Sequence, residues 1–238
     1  MNITPDAIVY WQVGPVGITA TIVFSWLVMA ILLVGSWVVT RNLSTGASVS
    51  PGQLLLEILL NGIRAQIRDV IGTDPDRYLP FIGTLFLFIV VSNVLVIVPG
   101  FQPPTGSMST TSALALCVFA AVPIFGIAAR GLRGYLKSYL QPTAFMLPFN
   151  LIGEVTRTIS LSIRLFGNMM SGTMITATAL TIAPLFFPII MNALGLLIGV
   201  IQAYIFSILA LVFIASATRA HEEQSAKRLN AKEETIHG

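Results

Sequence analysis

Arg157 and Arg164 fall inside a long apolar segment that holds one acid, Glu154. Glu154 and Arg157 stand three residues apart and can pair on one helix face. They sit near the start of the segment, where long side chains also snorkel to water, and could flank a cytoplasmic-side pathway. Arg164 lies seven residues further in, about 10 Å along a helix. No acid follows it until Glu222. An arginine near the centre of a membrane helix costs about 2.5–3.5 kcal/mol on insertion scales. It cannot lose its proton to escape. It therefore needs water, carbonyls or a carboxylate, and another subunit is the expected source of the anion.

The neighbours of Arg164 are patterned. Ser160, Arg164, Gly167, Asn168 and Ser171 recur at spacings of three and four, which places them on one polar stripe. Further on, Asn192, Gly195, Gly199 and Gln202 repeat the spacing, and Gly195 and Gly199 form a GxxxG pair that permits close helix approach. Two helices packed through small residues would explain the glycines. Asn168 and Gln202 need more, because unpaired amides in hydrocarbon are costly. They are expected to bond each other, Arg164 or water.

The elements that carry these residues must cross a membrane. The chain has 238 residues, of which 55% are hydrophobic and 10% charged. An average soluble domain is about 25% charged. The mean hydropathy is +0.86. So few charges cannot cover a soluble surface, which implies an all-α integral membrane protein in a lipid bilayer. Disorder is excluded by the same numbers. The single cysteine, Cys117, excludes a disulfide scaffold and reads as a small core or lipid-facing residue. The N-terminus holds one acid, Asp6, and no Lys or Arg ahead of Arg41, so no cleaved signal is expected. The basic residues form no aromatic-interleaved patch of the nucleic-acid-binding kind.

A bilayer core needs about 20 helical residues. Spans are expected over 17–40, 78–98, 110–129, 145–183 and 187–218, five crossings in one membrane domain. Residues 51–71 place Leu54, Leu55, Ile58, Leu59, Ile63, Ile67 and Val70 at helical spacing, an amphipathic helix lying at the interface or against other helices. The last two spans are too long for one upright crossing and are expected to tilt, kink or project. Pro184 and Pro188 mark the turn between them. Residues 219–238 form a polar tail.

Orientation follows from the basic residues. Arg41, Arg64, Arg68 and Arg77 lie between the first two spans. Arg130, Arg133 and Lys137 follow the third, and Arg219, Lys227, Arg228 and Lys232 lie in the tail. With five crossings these share one side, which puts the N-terminus outside and the C-terminus in the cytoplasm. No inverted repeat is visible, which weakens a secondary-transporter reading.

The string Ser160-Leu-Ser-Ile-Arg164-Leu-Phe-Gly-Asn168-Met resembles the signature of subunit a of the F-type ATP synthase membrane sector. Gln202-Ala-Tyr-Ile-Phe206 is similar to that family's last helix. Pro103-Pro-Thr105 and Thr110-Thr-Ser-Ala-Leu-Ala-Leu116 resemble its outer loop and next span. The resemblance covers about Pro51 to Glu223. It implies a stator that faces a rotating ring of c subunits, with two half-channels leading ions to a ring carboxylate. Subunit b and other ATP synthase subunits become expected partners, in a bacterial inner membrane. Arg164 matches the family's essential arginine, which forces ion release and prevents leakage. Nucleotide chemistry belongs elsewhere: the chain has no phosphate-binding GxxxxGK[ST] loop, and no cofactor or metal is expected.

The sequence also departs from the family. Thr173 and Gly195 stand where many members carry Glu or His, and Ser107 where the outer loop often carries Asp. From Leu165 to Arg219 there is no Asp, Glu, His or Lys. The outer half-channel would then use water chained along hydroxyls and amides, or conduct Na⁺ through oxygen ligands. This pattern suggests a divergent branch such as the N-type ATPases. H⁺ is the ion expected first, with Na⁺ the alternative. The rival functions are an independent channel or transporter with a buried arginine substrate site, and a non-transporting scaffold.

Overall fold

The computed structural model describes residues 6, 9–13, 16–41, 51–72, 74–98, 100–139, 146–182 and 187–219. The polar tail beyond 219 and most of the Pro184 turn lie outside the described residues. Two short strands, β1 (Val9–Val13) and β2 (Val16–Thr19), pair antiparallel ahead of the first helix. The sequence pattern predicts no element over residues 9–16 and starts the first span at residue 17, within β2. A two-stranded ribbon satisfies its own inner backbone groups, so a short apolar run can fold locally at a membrane surface.

Helix α1 (Ala20–Arg41) is apolar all round, and little of it is covered by the rest of the chain. Trp26, Leu33 and Trp37 point outward. Arg41 closes the helix with its guanidinium 5.0 Å over the Trp37 ring, an anchor suited to the membrane interface. Helix α2 (Pro51–Ile71) is amphipathic, with proline in its first turn. Its C-terminal half buries Ile67 and Ile71, while Leu54, Leu55 and Ile58 remain exposed.

Four helices build the core: α3 (Pro75–Val94), α4 (Met108–Tyr139), α5 (Met146–Ile182) and α6 (Phe187–Arg219). Ile82, Ile89, Val118, Leu161, Leu165, Phe206 and Ile214 interlock at its centre. Among the described residues four helices are long and apolar enough to cross a bilayer: α1, α3 with its trailing turn, the first part of α4, and α6. Helix α5 has the length, at 37 residues, but Ser, Thr, Asn and Arg dilute its apolar character. Helix α4 breaks at Gly131, whose φ of 72° and ψ of 160° no helix contains. Beyond the break Tyr135 folds back so closely that a Cβ on Gly126 would lie 2.7 Å from its ring. The exposed Cys117 is a free thiol on the outer surface of α4.

Between α3 and α4 the chain does not loop away. A tight turn over Pro104–Gly106 inserts among α1, α3, α4 and α5, and Pro104, Thr105, Gly106 and Ser107 are buried there. A loop free of charge, with two prolines to fix its backbone, can enter the apolar layer where neighbouring helices satisfy it.

Candidate functional site

Helix α5 separates its residues by face. Leu161 and Leu165 are buried against the core, whereas Ser160, Arg164, Asn168 and Ser171 are exposed and Gly167 half-buried. The stripe read from the sequence thus faces away from the chain's own core. Among the described residues Arg164 has no hydrogen bond and no ion pair; the ion pair present, Arg64 Nε to Asp76 Oδ1 at 2.7 Å, lies on the exposed surface. Exposed Ile159 and Ile163 lie on the same helix beside this polar stripe.

Asn168 and Gln202 meet. Asn168 Nδ2 donates to Gln202 Oε1 at 2.7 Å, joining α5 to α6 at the level of Arg164. Gln202 is only 3% exposed, and its Nε2 is buried without a partner. An orphaned amide donor at that depth demands an acceptor such as water.

The remaining expected site residues disperse. Gly199 does permit close approach, but to α3: its carbonyl accepts from Asn93 Nδ2 at 2.8 Å, and a Cβ there would lie 2.9 Å from that side chain. A Cβ on Gly195 would meet nothing within 4 Å, so of the GxxxG pair only Gly199 is held to glycine by a close approach. Asn192 is exposed near the start of α6. Thr173 is half-buried and returns its hydroxyl to Met170 O at 2.9 Å. Glu154, Arg157 and Thr158 line a small cavity with Phe213 and Ser216, the Arg157 guanidinium lying 5.6 Å over the Phe213 ring.

Ser107 is buried and central. It precedes α4 as its cap: Ser109 N–H donates to Ser107 Oγ at 3.2 Å, and Thr111 N–H to Ser107 O at 3.1 Å. Sequence spacing missed the groups that it joins. Ser162 Oγ donates to Thr111 Oγ1 at 3.4 Å and lies 3.2 Å from Ser112 Oγ. Thr105 Oγ1 donates to Asn93 Oδ1 at 3.3 Å. Thr105 and Thr111 are fully buried, Asn93 and Ser162 nearly so. Thr105 ties the inserted loop to α3, Asn93 ties α3 to α6, and Thr111 ties α4 to α5 at Ser162, on the side of α5 away from Arg164. Ser92 and Asn93 form one short polar pair in an apolar run, and Ser162 is one of several Ser and Thr along α5, signals too common to single out.

A multi-pass helical membrane protein with an arginine midway along α5 that faces outward, without an ion pair among the described residues, is the class that fold and site define. The family model described as ATP synthase A chain matches residues 22–215. ATP synthase subunit a 2 of Acaryochloris marina is 59% identical over 93% of this chain and 95% of its own length. ATP synthase subunit a 1 of Chlorobaculum parvum is 57% identical over 95% of this chain and all of its own. ATP synthase subunit a of Albidiferax ferrireducens is 57% identical over 93% and 96%. The chain belongs to the ATP synthase subunit a family. It is the ion-translocating stator subunit of a membrane sector, a multi-pass protein of a bacterial membrane that works with other ATP synthase subunits and has no catalytic site of its own.

Proposed function

We propose that the exposed face of α5 around Arg164 meets a rotating ring of c subunits, and that two offset half-channels bring ions to and from it. The observation that carries this reading is a guanidinium midway along α5, facing outward, with no ion-pair partner among the described residues. A carboxylate on each ring subunit answers it. Beside a fixed positive charge the ionised carboxylate is favoured, so an arriving loaded site releases its ion. Arg164 also repels any cation that would pass directly between the half-channels. One elementary charge crossing 100 mV yields about 2.3 kcal/mol, the work that turns the ring.

One half-channel starts at the cavity of Glu154 and Arg157, on the side of the basic loops, which is the cytoplasm. The other descends from the inserted loop at Ser107 and reaches Arg164 past Gln202 and Asn168. Ser160, Ser171, Thr173, Asn192 and Gly195 edge this region along α5 and α6. A track of hydroxyls and amides carries protons through ordered water, and H⁺ is the ion proposed first. The same oxygen-rich lining suits Na⁺, the alternative. Subunit b is a further proposed neighbour. Membership of the family leaves no independent role as channel or transporter.

Arg164→Ala in the whole complex tests the reading. ATP-driven ion uptake into vesicles is expected to vanish while the complex still assembles, because a charge rather than packing is removed. Normal uptake by an assembled variant sinks the proposed role. In the wild type, uptake with and without Na⁺ and a protonophore identifies the ion.

A further inference from the structure

One carboxylate remains outside that scheme. The connections opposite the basic loops, residues 1–17, 99–109 and 184–188, carry a single charged side chain, Asp6. The hairpin of β1 and β2 turns the chain back so that Asp6 returns to the start of α1. There Thr21 Oγ1 donates to Asp6 Oδ1 at 2.6 Å. Ser107 Oγ donates to Oδ2 at 2.6 Å, and Ser109 Oγ to Oδ1 at 3.3 Å, across about a hundred residues of sequence. Three hydroxyls from two separate elements converge on one carboxylate. Ser107 Oγ and Ser109 Oγ also lie 2.6 Å apart, so the Ser109 proton is shared between Ser107 and the longer contact to Asp6. No cation pairs with Asp6 among the described residues.

The place is not an isolated surface anchor. Ser107 is fully buried and caps the first turn of α4, from which Thr111 meets Ser162 on the core side of α5. In the same inserted loop Gln102 Oε1 is buried with no partner, an acceptor that only water or a cation can satisfy. A second orphan, Gln202 Nε2, lies on α6. Buried polar atoms without a partner call for ordered water or an ion beside them.

We propose that Asp6 is the ion-collecting carboxylate at the mouth of the outer half-channel. It supplies the negative charge that the helices lining that channel lack. Its ligand is a hard monovalent cation, hydronium or Na⁺, recognised by the carboxylate and by the Thr21, Ser107 and Ser109 oxygens around it. The proposal rests on the half-channel reading above. A single negative charge at an apolar mouth raises the local cation concentration and so acts on ion capture, not on the later transfer at Arg164.

The test uses the whole ATP synthase reconstituted in liposomes and made to synthesise ATP by a K⁺–valinomycin potential. Ion concentration is varied on the side away from the nucleotide sites: protons in Na⁺-free buffer in one arm, Na⁺ at fixed pH in the other. Asp6→Asn keeps an oxygen acceptor for the hydroxyls but removes the charge. The half-saturating ion concentration in the conducting arm should rise about three- to tenfold, with the saturating rate unchanged, and Asp6→Glu should restore it. An unchanged half-saturating concentration overturns the proposal. So does a fall in saturating rate alone, which marks a mere tether for the hairpin. If Asp6→Asn does not assemble, the wild type decides: inert choline chloride screens Asp6 and must raise the same half-saturating concentration, and no rise overturns the idea. Arg164→Ala run in parallel separates the claims. Synthesis that persists in Arg164→Ala sinks the half-channel reading, whereas a silent Arg164→Ala beside an unaltered Asp6→Asn sinks only the role of Asp6.

Discussion

Arg164 and Asp6 are both charges in apolar surroundings, and the chain treats them in opposite ways. Asp6 receives three hydroxyl hydrogen bonds from its own chain. Arg164 receives none from the described residues and faces outward. A charge satisfied internally is held for something that comes to it in solution. A charge left unsatisfied at membrane depth is held for a partner, because in isolation it is a cost the fold does not offset.

Breaking the partner-facing charge should have the largest effect. Arg164→Ala is expected to reduce coupled ion transport by at least about a hundredfold at unchanged assembly, measured as ATP-driven uptake per assembled complex, since its electrostatic role has no substitute on this chain. Arg164→Lys sharpens the point. A lysine keeps the charge but not the planar fork, and can lose its proton in apolar surroundings, so most of the coupling should still be lost.

Next in size is the closest backbone approach behind the site. Gly199→Val drives a branched side chain into Asn93, which already lies within 3 Å of a bare Cβ position. Overpacking of this kind costs about 1–3 kcal/mol, and here it also displaces a buried hydrogen bond. The expected outcome is a lower thermal midpoint of the purified complex and reduced incorporation. Unaltered stability would mean that α3 and α6 are looser than the geometry indicates.

The amide bridge should tune rather than abolish transport. Gln202→Leu removes both the acceptor for Asn168 and the orphaned donor, and is expected to slow uptake about three- to tenfold, in line with the loss of one or two hydrogen-bonding groups. Asn168→Leu, on the exposed side, should do less. Equal rates in both variants and the wild type would return the pair to packing. The smallest effect belongs to the surface. The Arg64–Asp76 pair is well exposed on both sides, so Arg64→Ala should change stability by about 0–1 kcal/mol and leave transport alone.

How much of this was legible beforehand differs element by element. Residues 51–71 read as amphipathic because apolar positions recur every three or four, and the helix spans Pro51–Ile71. The polar stripe on α5 was legible for the same reason: a helix converts spacing into a face, and Ser160, Arg164, Asn168 and Ser171 do share one. The hairpin at residues 9–19 was not, since its apolar run has no clear period and joins the first span without a break. The trajectory of the Pro103–Ser107 loop was equally hidden. Proline pairs forecast a turn, but not that the turn inserts among four helices.

Composition, period and the placement of charges therefore determined the membrane class, the helices and the face that carries Arg164, because these depend on transfer from water and on local geometry along one segment. The tertiary structure alone decided which distant groups meet. Asn168 found Gln202, Gly199 found Asn93, and Asp6 found Ser107. Those pairings depend on how helices pack and where a loop inserts, and no spacing along the chain encodes a contact formed by folding two distant segments together.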